Sequence, residues 1–177
     1  MRVLLRPPVE SDRDEFVRAM AASEELHEPW ISAIATGDYF DRLLARVGDD
    51  RYDPNLVCLK DGGAILGCFN ITEIVRGAFQ SAFLSYAAVA GYDGQGLMSE
   101  GLQLVLERAF IDLELHRIEA NIQPGNARSI ALVRRAGFVY EGTSKRYLNL
   151  GGAWRDHEHW VLLAEDWATQ SQSGPTS

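Results

Sequence analysis

The sequence predicts a mixed α/β fold, a largely antiparallel sheet containing one parallel pair. Two hairpin signals and one crossover carry that reading. Asp61-Gly62-Gly63 and Gly151-Gly152 each separate a pair of strand-like runs, the pattern of antiparallel hairpins. Between them, Phe83 to Val89 leads through Gly91-Tyr92-Asp93-Gly94-Gln95-Gly96 into a helix beginning at Leu97. The strand-like run His116 to Gln123 that follows must lie parallel to the first, because strand, helix and strand make a crossover unit.

Taken in order, Arg2 to Arg6 reads as a first strand, ended by Pro7 and Pro8. Ser11 is expected to cap a helix whose apolar stripe is Phe16, Val17 and Met20, with Asp12, Asp14 and Glu15 at its positive end. His27 to Ile31 interrupts it, and Tyr39, Phe40, Leu43, Leu44 and Val47 give a second amphipathic helix. Strands are expected over Asn55–Lys60, Ala64–Val75 and Phe79–Val89, an antiparallel meander. After the crossover helix and strand, Asn126 should cap a helix over Ala127–Ala136 that Gly137 stops. Strands Phe138–Leu150 and Ala153–Ala164 close the fold. Residues 1–167 read as a single domain and 168–177, small and polar, as a flexible tail.

With 46% hydrophobic and 24% charged residues over 177 positions, one domain can bury a core without disulfides or a structural metal. No signal-peptide pattern or membrane-length apolar run is present, so a cytoplasmic protein without membrane partners is expected. Cys58 and Cys68 lie in apolar runs and read as buried free thiols. A net charge of -8 argues against nucleic-acid binding, which needs clustered cations.

The glycine loop is the first chemical signal. A helix start presents unpartnered N–H groups and a partial positive charge, so the loop can cradle a phosphate or pyrophosphate. A dinucleotide fold is excluded by its surroundings, since hairpins rather than parallel strands flank the loop. His157 and His159 share one strand face, as two metal ligands would, but no third ligand is evident. No metal is expected.

Several strings in their order resemble the GNAT acetyltransferase superfamily of RimJ/RimL type, RimJ more than RimL. They are Val75-Arg76-Gly77 with Phe79, Leu84 and Tyr86; Gly94-Gln95-Gly96-Leu97-Met98; His116-Arg117-Ile118 with Ala120-Asn121; Pro124, Asn126, Arg128 and Ser129; Gly137-Phe138 with Glu141-Gly142; and Trp154-Arg155-Asp156-His157 leading to Asp166-Trp167. The resemblance spans Leu4 to Trp167. It implies a central parallel pair that splays, flanked by helices, with acetyl-CoA in the cleft. The pyrophosphate would rest on Gly91, Tyr92, Asp93, Gly94, Gln95 and Gly96 and on the helix start at Leu97 and Met98. Ala88 and Val89 would hold the pantetheine arm, and Asn126 and Ser129 would face the cofactor. Ser129 takes the general-acid role, since Val133 stands where many members carry a tyrosine acid. Gly91 replaces a usual Arg or Gln, and Asp93 a basic residue. Leu148 stands where RimL has its glutamate base, which leaves Glu73 or Glu119 as candidates. Trp30 and Tyr86 are expected toward the acceptor.

The implied reaction is acetyl transfer to a primary amine, with a protein N-terminus as the leading acceptor. An N-terminal amine with pKa of about 8 is roughly one-tenth neutral at pH 7, and a lysine only about once in 2500. A small amine such as an antibiotic or amino acid is the alternative acceptor, and a CoA-binding module without turnover the second alternative. Monomer and homodimer remain equally open.

Overall fold

The computed structural model describes residues 1–31 and 33–172. Strand β1 (Val3–Arg6) precedes a 3-10 turn at Glu10–Asp12 and helix α1 (Arg13–Ala21). Ser11 does not cap α1. Asp12 holds the N-cap position, and its carboxylate accepts both Arg6 guanidinium nitrogens at 2.7 Å and the Val9 N–H at 2.8 Å. Helices α2 (Glu24–His27) and α3 (Gly37–Leu44) follow, α3 capped by Thr36, whose hydroxyl accepts the Tyr39 N–H. Phe16 and Met20 of α1 pack with Phe40 and Leu43 of α3, as the apolar spacing predicts.

The sheet proper runs β2 (Tyr52–Leu59), β3 (Ile65–Val75) and β4 (Ser81–Ala88), each antiparallel to the last. β2 starts earlier than expected and includes Pro54. That residue pairs only with Asn70 of β3, while β1 covers just Leu56 to Leu59, so the missing N–H falls on an open edge. Helix α4 (Leu97–Glu107) continues as a π turn to Asp112 and returns as β5 (Arg117–Ile122), parallel to β4. Helix α5 (Ala127–Arg135) is capped by Asn126, whose Oδ1 accepts the Ser129 N–H at 3.2 Å, and ends at Gly137 with φ of 90°. β6 (Val139–Leu150) and β7 (Ala153–Leu163) form the closing hairpin. Helix α6 (Ala164–Gln172) takes in Ala168 to Gln172, part of the expected tail; Trp167 anchors it by packing at a tilt against Phe110. The remaining tail residues, 173–177, lie outside the described residues.

The strand order is β1-β2-β3-β4-β5-β7-β6. One face packs against α4 and α5 through Phe69, Leu102, Leu106, Ile118 and Val133; the other packs against α1 and α3. Gly101 brings α4 onto the first face. A Cβ there would lie 2.9 Å from a Val57 methyl. Cys58 and Cys68 are buried free thiols. No helix among the described residues is long and apolar enough to cross a membrane.

Candidate active site

β4 and β5 pair only at Ser81↔Arg117, Ala82↔Ile118 and Phe83↔Glu119. Beyond that each stays with its outer neighbour, β4 with β3 as far as Gly67↔Ala88 and β5 with β7 as far as Ile122↔Glu158. The strands therefore diverge, and a cleft of 1280 Å³ passes between them from the α4 and α5 face to the face carrying Trp30, Asn70, Thr72, Tyr147 and His157. The Val89 N–H is spent on the Leu66 carbonyl at 2.8 Å, so by alternation the Ala88 N–H turns toward the opening. Two residues that sequence reasoning missed pin this strand end. His27 Nε2 donates to the Ala88 carbonyl at 2.8 Å, and Ser23 Oγ accepts the Ala90 N–H at 2.8 Å. Both are buried and sit one helical turn apart, a spacing visible in the sequence without its targets.

The loop fits a pyrophosphate. Gly91, Gly94 and Gly96 have φ of 87°, 73° and 77°, and an added Cβ at Gly91 or Gly94 would meet nothing within 4 Å. Gly96 is the N-cap of α4 and supplies no side-chain acceptor, which leaves the first-turn N–H groups of α4 without a side-chain cap. Tyr92, Asp93, Gly94, Gly96, Leu97 and Met98 line the cleft with Ala88 and Val89; Gly91 and Gln95 do not. Arg2 braces the loop from outside, donating to the Gln95 carbonyl at 2.7 Å and pairing with Glu100 at 2.6 Å. Asp93 Oδ1 accepts the Gly91 N–H at 3.2 Å, so the departure at Asp93 occupies one donor a phosphate would otherwise use.

Asn126 and Ser129 line the cleft at the start of α5. Ser129 Oγ is hydrogen-bonded to the Tyr86 hydroxyl, which also lies 3.4 Å from the Ser129 carbonyl. Tyr86, expected toward the acceptor, lines the cleft, and its hydroxyl meets Ser129 there. Burial pushes the Tyr86 phenol up to about 12, with the Ser129 contact working against the rise. It is therefore a proton donor at neutral pH. Val133 is fully buried in the core, so the phenol near Ser129 comes from β4 rather than from α5.

The two base candidates are not brought to the cleft. Glu73 is 61% exposed and paired with Arg51 at 2.6 Å. Glu119 is held by Arg117 at 2.9 Å and by His159 Nδ1 at 3.0 Å. Trp30 lines the cleft, its carbonyl accepting the Gln123 amide at 3.0 Å. The acceptor end is polar in its floor: Asn70 opposite Ser85 on one side of the split, Asn121 opposite His159 on the other. Asn70 Oδ1 is buried without a hydrogen-bond partner among the described residues. Among them Asp93 is also the one carboxylate that lines the cleft. No group of three or more His, Cys, Asp or Glu among the described residues could hold a metal ion.

Comparison with known proteins agrees with this geometry. Residues 2–139 match the family described as Acetyltransferase (GNAT) domain. The chain is 39% identical over 107 residues to the [ribosomal protein uS5]-alanine N-acetyltransferase of Escherichia coli, a match spanning 60% of this chain and 55% of that protein. Among solved structures, RimJ of Mycobacterium smegmatis in complex with CoA-disulfide superposes with a TM-score of 0.83 at 30% identity, covering 99% of this chain and 85% of that one. The fold alone is shared with spermidine N-acetyltransferase of Vibrio cholerae in complex with CoA and spermine, at 18% identity and a TM-score of 0.77 over 94% of this chain and 98% of that one.

Proposed function

The chain belongs to the GNAT acetyltransferase family and is an acyltransferase, and from that premise we propose that it moves the acetyl group of acetyl-CoA to the N-terminal amine of a protein, of the ribosomal-protein type. The observation that carries this reading is the through-cleft, with exposed backbone N–H groups suited to an anion at one mouth and a polar floor at the other. Acetyl-CoA enters on the α4 and α5 face with its pyrophosphate over the loop of residues 91–96. The Ala88 N–H is turned toward the thioester and supports the developing oxyanion. Holding amine and thioester in one cleft removes much of the entropic cost of their meeting. Ser129, backed by the Tyr86 phenol, supplies the proton to the departing sulfur. A thiolate whose conjugate acid has a pKa of about 8.5 needs little help, so a weak acid suffices.

The acceptor end supports a peptide over a polyamine. A polyamine carries several charges and calls for several carboxylates, whereas Asp93 alone lines the cleft among the described residues and belongs to the cofactor mouth. A peptide N-terminus brings one amine followed by neutral backbone, which Asn70, Thr72, Ser85 and Asn121 can meet with hydrogen bonds. Residues 1–167 act as one catalytic unit in this reading, and the reaction takes place in the cytoplasm.

The test is thiol release from acetyl-CoA with short peptides differing at their first residue, beside free amino acids, spermidine and aminoglycosides. Turnover on peptide N-termini with kcat/KM at least about tenfold above the small amines is expected, corresponding to about 1.4 kcal/mol of discrimination. Preference for spermidine or an aminoglycoside sinks the peptide reading and keeps the family chemistry. Binding of CoA with no turnover on any amine makes the chain a cofactor-binding module.

A further inference from the structure

We propose that His157 is the general base of the transfer, taking the proton from the acceptor amine through Nε2. This rests on the acyl-transfer reading above and names the base that neither Glu73 nor Glu119 is placed to be. His157 lines the cleft at its acceptor end, on β7, beyond the point where β4 and β5 have separated. The residue is 2% exposed, yet its two ring nitrogens are not equivalent. Nδ1 lies 3.0 Å from the Arg155 carbonyl, which can only accept, so Nδ1 carries the hydrogen and Nε2 bears the lone pair. Nε2 makes no hydrogen bond to any described residue. The neighbouring His159 differs at every point. Its Nδ1 meets Glu119 and Asn121 and its Nε2 meets Ser144 at 2.8 Å, which leaves it no free lone pair to offer a substrate.

The surroundings keep the ring a base. Burial lowers the His157 pKa, the contact with the Arg155 carbonyl opposes this, His159 adds to the lowering and Asp156 works against it. The Tyr147 ring of β6 packs 6.0 Å from the imidazole, and Ser144 lies opposite in the β6 register. The other basic groups that line the same cleft are His27, Arg128 and Arg135, and no carboxylate beyond Asp93 joins them among the described residues. At neutral pH the ring is therefore uncharged, as a base must be.

The step balances without any further reactant. The amine lone pair forms the C–N bond to the thioester carbonyl carbon while one N–H proton passes to His157 Nε2, directly or across one water. The C–S bond then breaks, its electron pair leaves on sulfur, and the sulfur takes the Ser129 proton. His157 releases its proton to solvent and Ser129 regains one, so the products are the amide and the free thiol.

His157→Gln tests the assignment, assayed with whichever amine the wild type turns over, so that a change of acceptor class leaves the test standing. A fall in kcat of about 100-fold is expected, in the range general bases contribute, with CoA affinity within about twofold of wild type. The pH profile separates a base from a structural residue. In the wild type, log kcat/KM should rise with a slope of about two below the His157 pKa, where amine and imidazole both lose protons, and of about one above it. The variant should keep a slope of about one throughout, and imidazole added to His157→Ala should restore some of the rate. Equal loss of rate at every pH, or a kcat within about threefold of wild type, overturns the proposal. Where a variant fails to fold, proton NMR titration of His157 in the wild type decides, since its pKa must match the kinetic limb below 6.5. A mismatch overturns the assignment. Absence of turnover on every amine defeats the acyl-transfer reading and this one together.

Discussion

Ser129 shows how a residue in plain view acquires its chemistry from a distant partner. A serine in the first turn of a helix is ordinary in sequence, and Asn126 three residues earlier is an ordinary cap. Tyr86, 43 residues away on β4, meets that serine hydroxyl to hydroxyl, and in the proposed reaction the two form a relay with Ser129 as its outer member. The pair should then act as a unit. Ser129→Ala is expected to lower kcat about tenfold and Tyr86→Phe less, with the double variant no slower than Ser129→Ala alone; multiplying losses would show independent roles. The serine was legible in the sequence. Its partner Tyr86 was legible as a cleft residue, but the bond between them was not, because strand alternation gives the face of a side chain and not what reaches it across a split.

Helices and hairpins are where sequence reasoning reached furthest. Gly62, Gly63, Gly151 and Gly152 all take positive φ, so the hairpins followed from residue type alone. Ser11 failed as a cap because it falls inside the 3-10 turn Glu10–Asp12 that precedes α1, so the helical backbone already begins before it. The end of α6 escaped because small polar residues carry no period of their own. Gly101 marks an element-scale constraint of another kind. It lets α4 approach β2 and β3, where a methyl group would stand 2.9 Å from Val57 and 3.3 Å from Phe69. Gly101→Ala gains helix propensity of about 1 kcal/mol and meets overpacking of about 1–3 kcal/mol. A net loss is expected, seen as a lower urea midpoint at unchanged m-value; a raised midpoint would show that Val57 yields without strain.

At the scale of the whole molecule, acid stability follows from two buried groups. Burial would raise the Asp12 carboxyl, but the hydrogen bonds from Arg6 and Val9 and the guanidinium charge outweigh it and hold the pKa below the ordinary value of 3.8. A depressed carboxylate contributes stability in full above its unfolded pKa and loses it as pH falls through the native one. His157 adds an earlier loss. Its native pKa is depressed, so the unfolded chain takes up the proton first as pH falls below 6.5. Stability should therefore decline in two stages on acidification, one starting below pH 6.5 and one below about pH 4. Asp12→Asn should lower stability at pH 7 by about 1–2 kcal/mol, allowing for the partly exposed Arg6, and remove the second stage. Urea midpoints measured from about pH 7 to about pH 3, the span that covers both groups, check both, and an unchanged second stage would show that other carboxylates carry it.

The sequence by itself determined most of the elements, the two hairpins, the crossover and the glycine loop that precedes α4. Each depends on local backbone freedom or on the period of apolar residues within one segment. Only the tertiary structure decided which polar groups meet. The short parallel pairing of β4 and β5 opens the cleft, and long-range register then turns Glu73 toward Arg51 and Glu119 toward His159, closes His159 within a network, and leaves His157 Nε2 without a partner among the described residues. Those outcomes depend on strands that touch across tens of residues. No local pattern encodes where two strands stop pairing.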